Sequence, residues 1–270
     1  MKRRIILSSL LVVGGLSIAV AAQQQQQPKT LEVTKLKDNL YVLKALTNGG
    51  GGNTSVFITA NGVVVVDSKN PGWGQPILDK IKTLTDKPVT TLINTHTHGD
   101  HVSGNVDFPA SVDIIVQANT AENMKKMIPN STAADQTVPA QTIFQQNGNR
   151  GLPKRTFKDK MTIGKGADEV DLFYFGRGHT NGDAFVLYPA ARVLHAADIF
   201  SGKNIPLLDA NNGGSAVEIA NSLEKAANSL NGKYDTIITG HSTEMAPADK
   251  VRIKNNVTLA YKELGSKGTK

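Results

Sequence analysis

Short apolar segments that end in histidine or aspartate constrain the fold of this chain more than any other feature. The clearest case follows the apolar residues 89–93, because residues 96–101 contain His96, His98, Asp100 and His101. Three more residues of the same kind come just after apolar segments: His179, Asp198 and His241. Side chains at the same end of neighbouring strands lie close together, so we expect an α/β fold that gathers all seven at one edge.

The residue types in this set predict a divalent metal site. Three imidazoles and a carboxylate within six residues suit such a cation, and crowded imidazoles gain little from one another without it. A solvated polar turn is therefore the weaker interpretation. The chain has no cysteine, which excludes disulfides, thiolate metal sites and cysteine nucleophiles. Any bound metal must use nitrogen and oxygen ligands.

His195 is the one histidine of the six that this pattern leaves out. It lies three residues before Asp198 on the same predicted strand, and strand alternation turns the two side chains to opposite faces. We therefore expect His195 to be a core residue or a support for the site.

Strand and helix signals predict one α/β domain over residues 31–265. Two hairpins come first, at residues 31–46 and 55–66, the second around the turn signal Asn61-Gly62. Strands and helices then alternate, with Asn119 as the expected N-cap of one helix and closing helices at residues 216–230 and 248–264. The polar residues 129–160 are interpreted mainly as a long loop. Residues 48–53 contain four consecutive glycines, which predicts a mobile loop, either a lid or a plain connection.

The amino-terminal residues are typical of an export signal. A basic start, an apolar stretch and the small residues of Ala19-Val20-Ala21 predict a cleaved leader over residues 1–22, with an uncleaved anchor as the alternative. Residues 23–30, with five glutamines, read as a polar tether. We therefore expect a periplasmic or secreted protein without stable membrane association after cleavage.

The net charge of +7 does not indicate a nucleic-acid partner. Three of the 30 basic residues belong to the leader, so 27 basic and 23 acidic residues leave +4 on the mature chain. The remaining lysines and arginines are scattered, without a basic stripe or a set of aromatic residues for base stacking. A small molecule is the expected substrate, and the oligomeric state is left open.

The motif set resembles that of the metallo-β-lactamase superfamily. It comprises His-x-His-x-Asp-His at residues 96–101, Gly-His-Thr-x-Gly-Asp at residues 178–183, Asp198, and Gly240-His241. The resemblance implies a four-layer αβ/βα sandwich of two mixed β-sheets flanked by helices. It further implies two zinc ions, the first held by His96, His98 and His179 and the second by Asp100, His101 and His241. Asp198 would bridge the ions, and Asp67 would support the site.

The same resemblance implies a hydrolase in which a hydroxide between two metals attacks an ester, lactone, thioester, amide or phosphoester. Asp100 is the expected catalytic residue, because it can orient the nucleophile or carry a proton. β-Lactamases of this family carry Cys or Ser where this chain has Asp198. This difference counts against β-lactam hydrolysis, which stays an alternative. An iron-dependent sulfur dioxygenase is a second alternative. Lys203 could pair with a substrate carboxylate, although a solvated loop cation is the favoured interpretation.

Overall fold

The computed structural model describes residues 28–130, 132, 137–200, 206–242 and 246–247. The predicted leader, most of the tether, Lys203 and the predicted helix at residues 248–264 lie outside this part. No helix in the described ranges has both the length and the apolar character needed to cross a bilayer.

The first sheet contains seven strands in chain order. They are β1 (Leu31–Lys37), β2 (Leu40–Ala45), β3 (Thr54–Ile58), β4 (Val63–Val66), β5 (Val89–Asn94), β6 (Asp113–Gln117) and β7 (Arg155–Phe157). The first four strands pair antiparallel through the two predicted hairpins, and β4 to β7 pair parallel. Both hairpins are therefore confirmed, and the sheet is mixed.

The second sheet contains six strands in the order β13-β12-β11-β10-β9-β8. They are β8 (Lys160–Ile163), β9 (Val170–Phe173), β10 (Phe185–Tyr188), β11 (Val193–Ala197), β12 (Thr236–Thr239) and β13 (Ala246–Pro247). All neighbours pair antiparallel except β11 and β12, which run parallel. The parallel pair places the ends of β11 and β12 side by side.

The described residues include five α-helices beside the sheets. They are α1 (Gly74–Lys82), α2 (Gly99–Val102), α3 (Ala118–Met124), α4 (Ile143–Gln146) and α5 (Ile219–Ser229). The buried Ile77 and Ile81 of α1 pack on the outer face of the first sheet. Leu223 and Ala226 of α5 pack on the outer face of the second sheet.

The central core lies between the two sheets. Phe57 and Ile93 from the first sheet meet Leu172, Val186 and Ile238 from the second, all fully or almost fully buried. Burial on both faces explains why the central strands are continuous apolar runs such as the four valines of β4. The resulting order of layers, helix–sheet–sheet–helix, confirms the predicted four-layer sandwich.

The described part of residues 129–160 is mainly loop, as predicted, and it also contains α4 and the three-residue strand β7, whose identity depends on its pairing with β6. The predicted N-cap at Asn119 is wrong. Helix α3 begins at Ala118 rather than after Asn119, because the side chain of Gln117 accepts the hydrogen bond of the Asn119 backbone N–H. Gln117 is a rare N-cap residue, so the sequence favoured the asparagine.

Candidate metal centre

All seven residues of the predicted set lie at the carboxyl ends of strands, on one edge of the sandwich. They form two groups, and within each group one nitrogen or oxygen atom per residue lies within 4.8 Å of the others. The first group is His96, His98, His179 and Asp198, and the second is Asp100, His101 and His241. The grouping matches the predicted division, whereas the role of each residue as a metal ligand stays a prediction.

Three imidazoles of the first group converge on one point. Nδ1 of His98 lies 3.0 Å from Nε2 of His179. Nε2 of His96 is buried without a hydrogen-bond partner and lies 3.9 Å from Oδ2 of Asp198. This buried nitrogen faces other hydrogen-bond acceptors and has no hydrogen-bond partner. A bound cation would supply the missing interaction.

The opposite ring nitrogen of each of these histidines already has a partner. Nδ1 of His96 lies 3.0 Å from Oγ1 of Thr95, and Nδ1 of His179 lies 2.6 Å from the carbonyl oxygen of Leu207. Nε2 of His98 lies 2.7 Å from Oδ2 of the fully buried Asp209. Such outer contacts fix the ring orientation and the tautomer, leaving the inner nitrogen free to bind a metal.

The second group combines one carboxylate with two imidazoles. Oδ2 of Asp100 lies 3.2 Å from Nε2 of His241 and 3.6 Å from Nε2 of His101. On its other side His101 contacts Asp67, whose Oδ2 lies 2.7 Å from Nδ1 of the ring. Asp67 also accepts hydrogen bonds from the backbone N–H and the hydroxyl of Thr95. The predicted supporting position of Asp67 is therefore confirmed by its contacts.

Asp198 lies between the two groups. Its Oδ2 is 3.3 Å from Nε2 of His241 and 3.7 Å from Nε2 of His179, while its Oδ1 is 3.3 Å from Nε2 of His101. Oδ1 is buried without a hydrogen-bond partner of good geometry. The carboxylate therefore reaches both groups, as a bridging ligand must.

Charge is distributed unequally over the centre. Burial holds the pKa of His96 well below its usual value, with the neighbouring His101 and His179 adding to the effect. Burial would also lower the pKa of His101, but Asp198, Asp100 and Asp67 outweigh it and raise that pKa well above its usual value. Hydrogen bonds to Asp100 and Asp198 raise the pKa of His241 to about 9. The second group therefore attracts positive charge, which a proton or a divalent cation can supply.

The glycine run is packed against the centre. The backbone N–H of Gly52 donates to the carbonyl of Asp100 at 3.1 Å, and that of Asn53 donates to the carbonyl of Gly240. A β-carbon on Gly52 would lie 2.6 Å from Nε2 of His101, and one on Gly51 would lie 2.7 Å from Cβ of Asp100. These glycines allow close approach of the backbone, so the structure gives a packing reason for glycine at Gly50 to Gly52, and the predicted mobility stays a prediction.

Sequence reasoning missed two residues of the site. Asp209 lies in a loop without any metal-binding motif, and only the folded chain brings it to His98. Lys69 is fully buried, its ammonium donates to the carbonyl of Gly52, and burial lowers its pKa to about 7. The sequence offered one signal for Lys69, because it lies two residues after Asp67, the aspartate that follows an apolar strand.

His195 lies in the core, as predicted. It is fully buried, its Nδ1 lies 2.9 Å from Oγ of Ser55, and it belongs to neither group. Burial lowers its pKa to about 4, so the ring is neutral at ordinary pH.

The sequence of this chain is similar to those of known proteins. The family model described as the Metallo-beta-lactamase superfamily matches residues 47–241. A metallo-beta-lactamase type 2 of Elizabethkingia meningoseptica is 32% identical over 180 residues, covering 63% of this chain and 62% of that protein. A hydroxyacylglutathione hydrolase of Synechocystis sp. is 28% identical over 145 residues, covering 54% of this chain and 46% of that protein. The chain thus spans less than two thirds of the length of either relative.

The fold has solved counterparts. A metallo-beta-lactamase from Pontibacter korlensis superposes with a TM-score of 0.65 at 19% identity, covering 86% of this chain and 99% of that one. At this level of identity the likeness concerns the fold alone.

Proposed function

Because this chain belongs to the metallo-β-lactamase superfamily, we propose that it is a metal-dependent hydrolase that uses two zinc ions to cleave a small molecule. The bond cleaved is an ester, lactone, thioester or amide. The observation that carries the proposal is the convergence of seven nitrogen and oxygen donors in two adjoining groups, with Asp198 within reach of both.

The donor set fits zinc. Imidazole nitrogens and carboxylate oxygens are ligands that zinc accepts, and the first group offers three imidazoles in the buried position typical of such sites. The unpartnered Nε2 of His96 and Oδ1 of Asp198 supply the independent sign that cations complete the centre. Iron is the alternative metal, because imidazole and carboxylate suit it as well.

Two divalent cations, when bound, lower the pKa of a water molecule towards neutrality and polarise the substrate oxygen. The residues of this chain hold the donors in place and manage the proton. Asp100 has a partly exposed side chain at the floor of the adjoining cleft, so its carboxylate can orient the attacking water. The alternative role for Asp100 is to carry a proton.

The experiment is a substrate panel on purified zinc-loaded protein, with lactones, thioesters, phosphodiesters and β-lactams, beside metal analysis of native protein. We expect two metal equivalents, and hydrolysis that stops on chelation and returns with zinc. Hydrolysis that survives complete metal removal would contradict the proposal. Iron content with oxygen uptake and no hydrolysis would identify the sulfur dioxygenase alternative instead.

A β-lactam is the second candidate substrate. The supporting observation is the 32% identity to a protein named metallo-beta-lactamase type 2. Asp198 opposes it, because a carboxylate stands where the β-lactamases of this family carry Cys or Ser. Nitrocefin, a β-lactam, is included in the same panel. Turnover of nitrocefin well below that of the best ester or lactone would exclude β-lactams as the substrate.

The proposal extends to export into the periplasm or the medium. It is supported by the basic, apolar and small-residue pattern of residues 1–22. Cell fractionation with amino-terminal sequencing of the mature protein tests it, and a cytoplasmic protein that retains Met1 would contradict it.

A further inference from the structure

A cleft of about 510 Å³ opens directly beside the candidate metal centre. Its floor includes His98, Gly99 and Asp100, so a molecule attacked at the centre extends into this space. Its walls include Met127, Ile128 and Ile143, all partly exposed. Because the cleft lies beside the centre, its walls contact the substrate group that is next to the cleaved bond.

One wall is tied to the metal centre by side-chain amides. Nδ2 of Asn212 donates to the carbonyl of Ile128 at 3.0 Å, and Nδ2 of Asn211 donates to that of Pro129 at 3.1 Å. Asn212 also donates to Asp209 at 2.6 Å, the carboxylate that contacts His98. The wall therefore has a fixed position relative to the first group of donors.

Another part of the lining is fixed by helix α4. A capping box joins Thr142 and Gln145 at its start, and Phe144 is buried in an apolar cluster with Val102 and Met124. Ile143 and Met127 pack partly against that same cluster. The apolar surface offered to the cleft is thus an extension of a packed core and not a set of loose side chains.

The described residues that form the walls of this cleft carry no charged side chain. Besides His98 and Asp100 at the floor, the described residues that line the cleft are neutral amides, hydroxyls, prolines and apolar side chains, without a lysine or arginine. A carboxylate that a substrate carries against these walls, away from the cations proposed for the centre, would lose water without gaining a cationic partner from the described side chains. An uncharged alkyl or amide group would instead cover the exposed faces of Met127, Ile128 and Ile143.

We propose that this cleft binds an uncharged, partly apolar acyl group and discriminates against a carboxylate at that position. The inference rests on the proposed function, because it assigns the cleft to the substrate of that same centre. It separates the expected substrates from glutathione thioesters and β-lactams, both of which carry carboxylates.

The test uses two ligands that differ only at the far end. Butanoyl hydroxamic acid and succinic monohydroxamic acid share a metal-binding head and chain length, but the second ends in a carboxylate. Binding of each to the zinc-loaded full chain is measured by calorimetry at pH 7.5. We expect the butanoyl compound to bind at least about tenfold more tightly. Equal or tighter binding of the succinyl compound, or no binding of either, would overturn the inference.

A matched pair of variants locates the effect. Gln146→Lys places a cation on the cleft wall, whereas Asn228→Lys adds the same charge on the exposed face of α5. We expect the first variant to reduce the preference for the butanoyl compound several-fold and the second to leave it unchanged. An equal effect of both would contradict the assignment to this cleft.

Failure of the inference and failure of the proposed function are distinguishable. Selective hydroxamate binding without turnover of any panel substrate would contradict the hydrolase proposal and leave the cleft preference in place. Metal-dependent turnover without selectivity would contradict the cleft preference alone.

Discussion

His98 and Asp209 are 111 positions apart in the chain, yet Nε2 of the imidazole and Oδ2 of the carboxylate lie 2.7 Å from each other in the interior. Asp209 is fully buried and also accepts a hydrogen bond from the amide of Asn212. The contact directs Nδ1 of His98 towards His179. One buried carboxylate therefore orients an imidazole of the candidate metal centre and anchors the loop that holds the cleft wall.

We predict that Asp209→Asn weakens metal binding about 10- to 100-fold, because loss of the carboxylate removes the partner that fixes the ring and its tautomer. Competition with a chromophoric chelator measures the affinity. Asp235→Asn is the control, since Asp235 is an exposed carboxylate paired with Arg192. Equal zinc affinities for the two variants would show that Asp209 has no positioning role.

Asp198→Ala is expected to lose metal and activity together, because its carboxylate reaches both groups of donors. Elemental analysis of the purified variant gives the metal content, and circular dichroism checks its fold. Two full zinc equivalents in a folded Asp198→Ala protein would rule out a bridging position.

Gly52→Ala is expected to disturb the second group of donors, since its methyl group would lie 2.6 Å from Nε2 of His101. Overpacking of this kind costs about 1–3 kcal/mol of unfolding free energy, and we expect reduced metal content as well. Chemical denaturation and elemental analysis measure the two effects.

Gly49→Ala is the control in the same loop, because nothing lies within 4 Å of its added methyl group. Its positive φ of 78° predicts a cost of about 1–2 kcal/mol with normal metal content. Normal metal content in both variants would contradict the packing role of Gly52. Alanines at Gly50 and Gly51 would collide with Ala45 and Asp100, so they cannot test loop mobility.

His195→Gln is expected to leave the metal content unchanged and to alter the pH dependence of stability. The buried ring has a pKa of about 4, below its usual 6.5, so the unfolded chain binds the proton more readily. This difference is worth on the order of 3 kcal/mol, fully present above pH 6.5 and lost as the pH falls towards 4. Urea unfolding at pH 7.5 and pH 5 should therefore show a smaller drop in the variant than in the wild type. An identical drop would contradict the assignment.

The local pattern of the sequence was sufficient for much of the fold. Hairpins, central strands and the helices over Gly74–Lys82 and Ile219–Ser229 follow from apolar periodicity and turn residues, which act within a few positions of the chain. The seven donor residues were also visible, because each follows an apolar strand and such strands end at a common edge.

The sequence was insufficient where structure depends on distant partners. Strand β7 exists because Arg155–Phe157 pairs with β6, and three residues carry too little propensity to indicate it. The four glycines looked like a mobile loop because glycine permits both flexibility and close packing. The reason for close packing here is visible only in the folded chain, where His101 and Asp100 lie against the glycines.

The sequence by itself determined which atoms can bind a cation, since the residue types and their places at strand ends are properties of the chain. The tertiary structure decided how those atoms are oriented, because the partners that fix each imidazole come from remote segments. Asp67 contacts His101 across 34 positions, Leu207 contacts His179 across 28, and Asp209 contacts His98 across 111. No local pattern encodes such contacts, because they form only when the two sheets and their loops pack together.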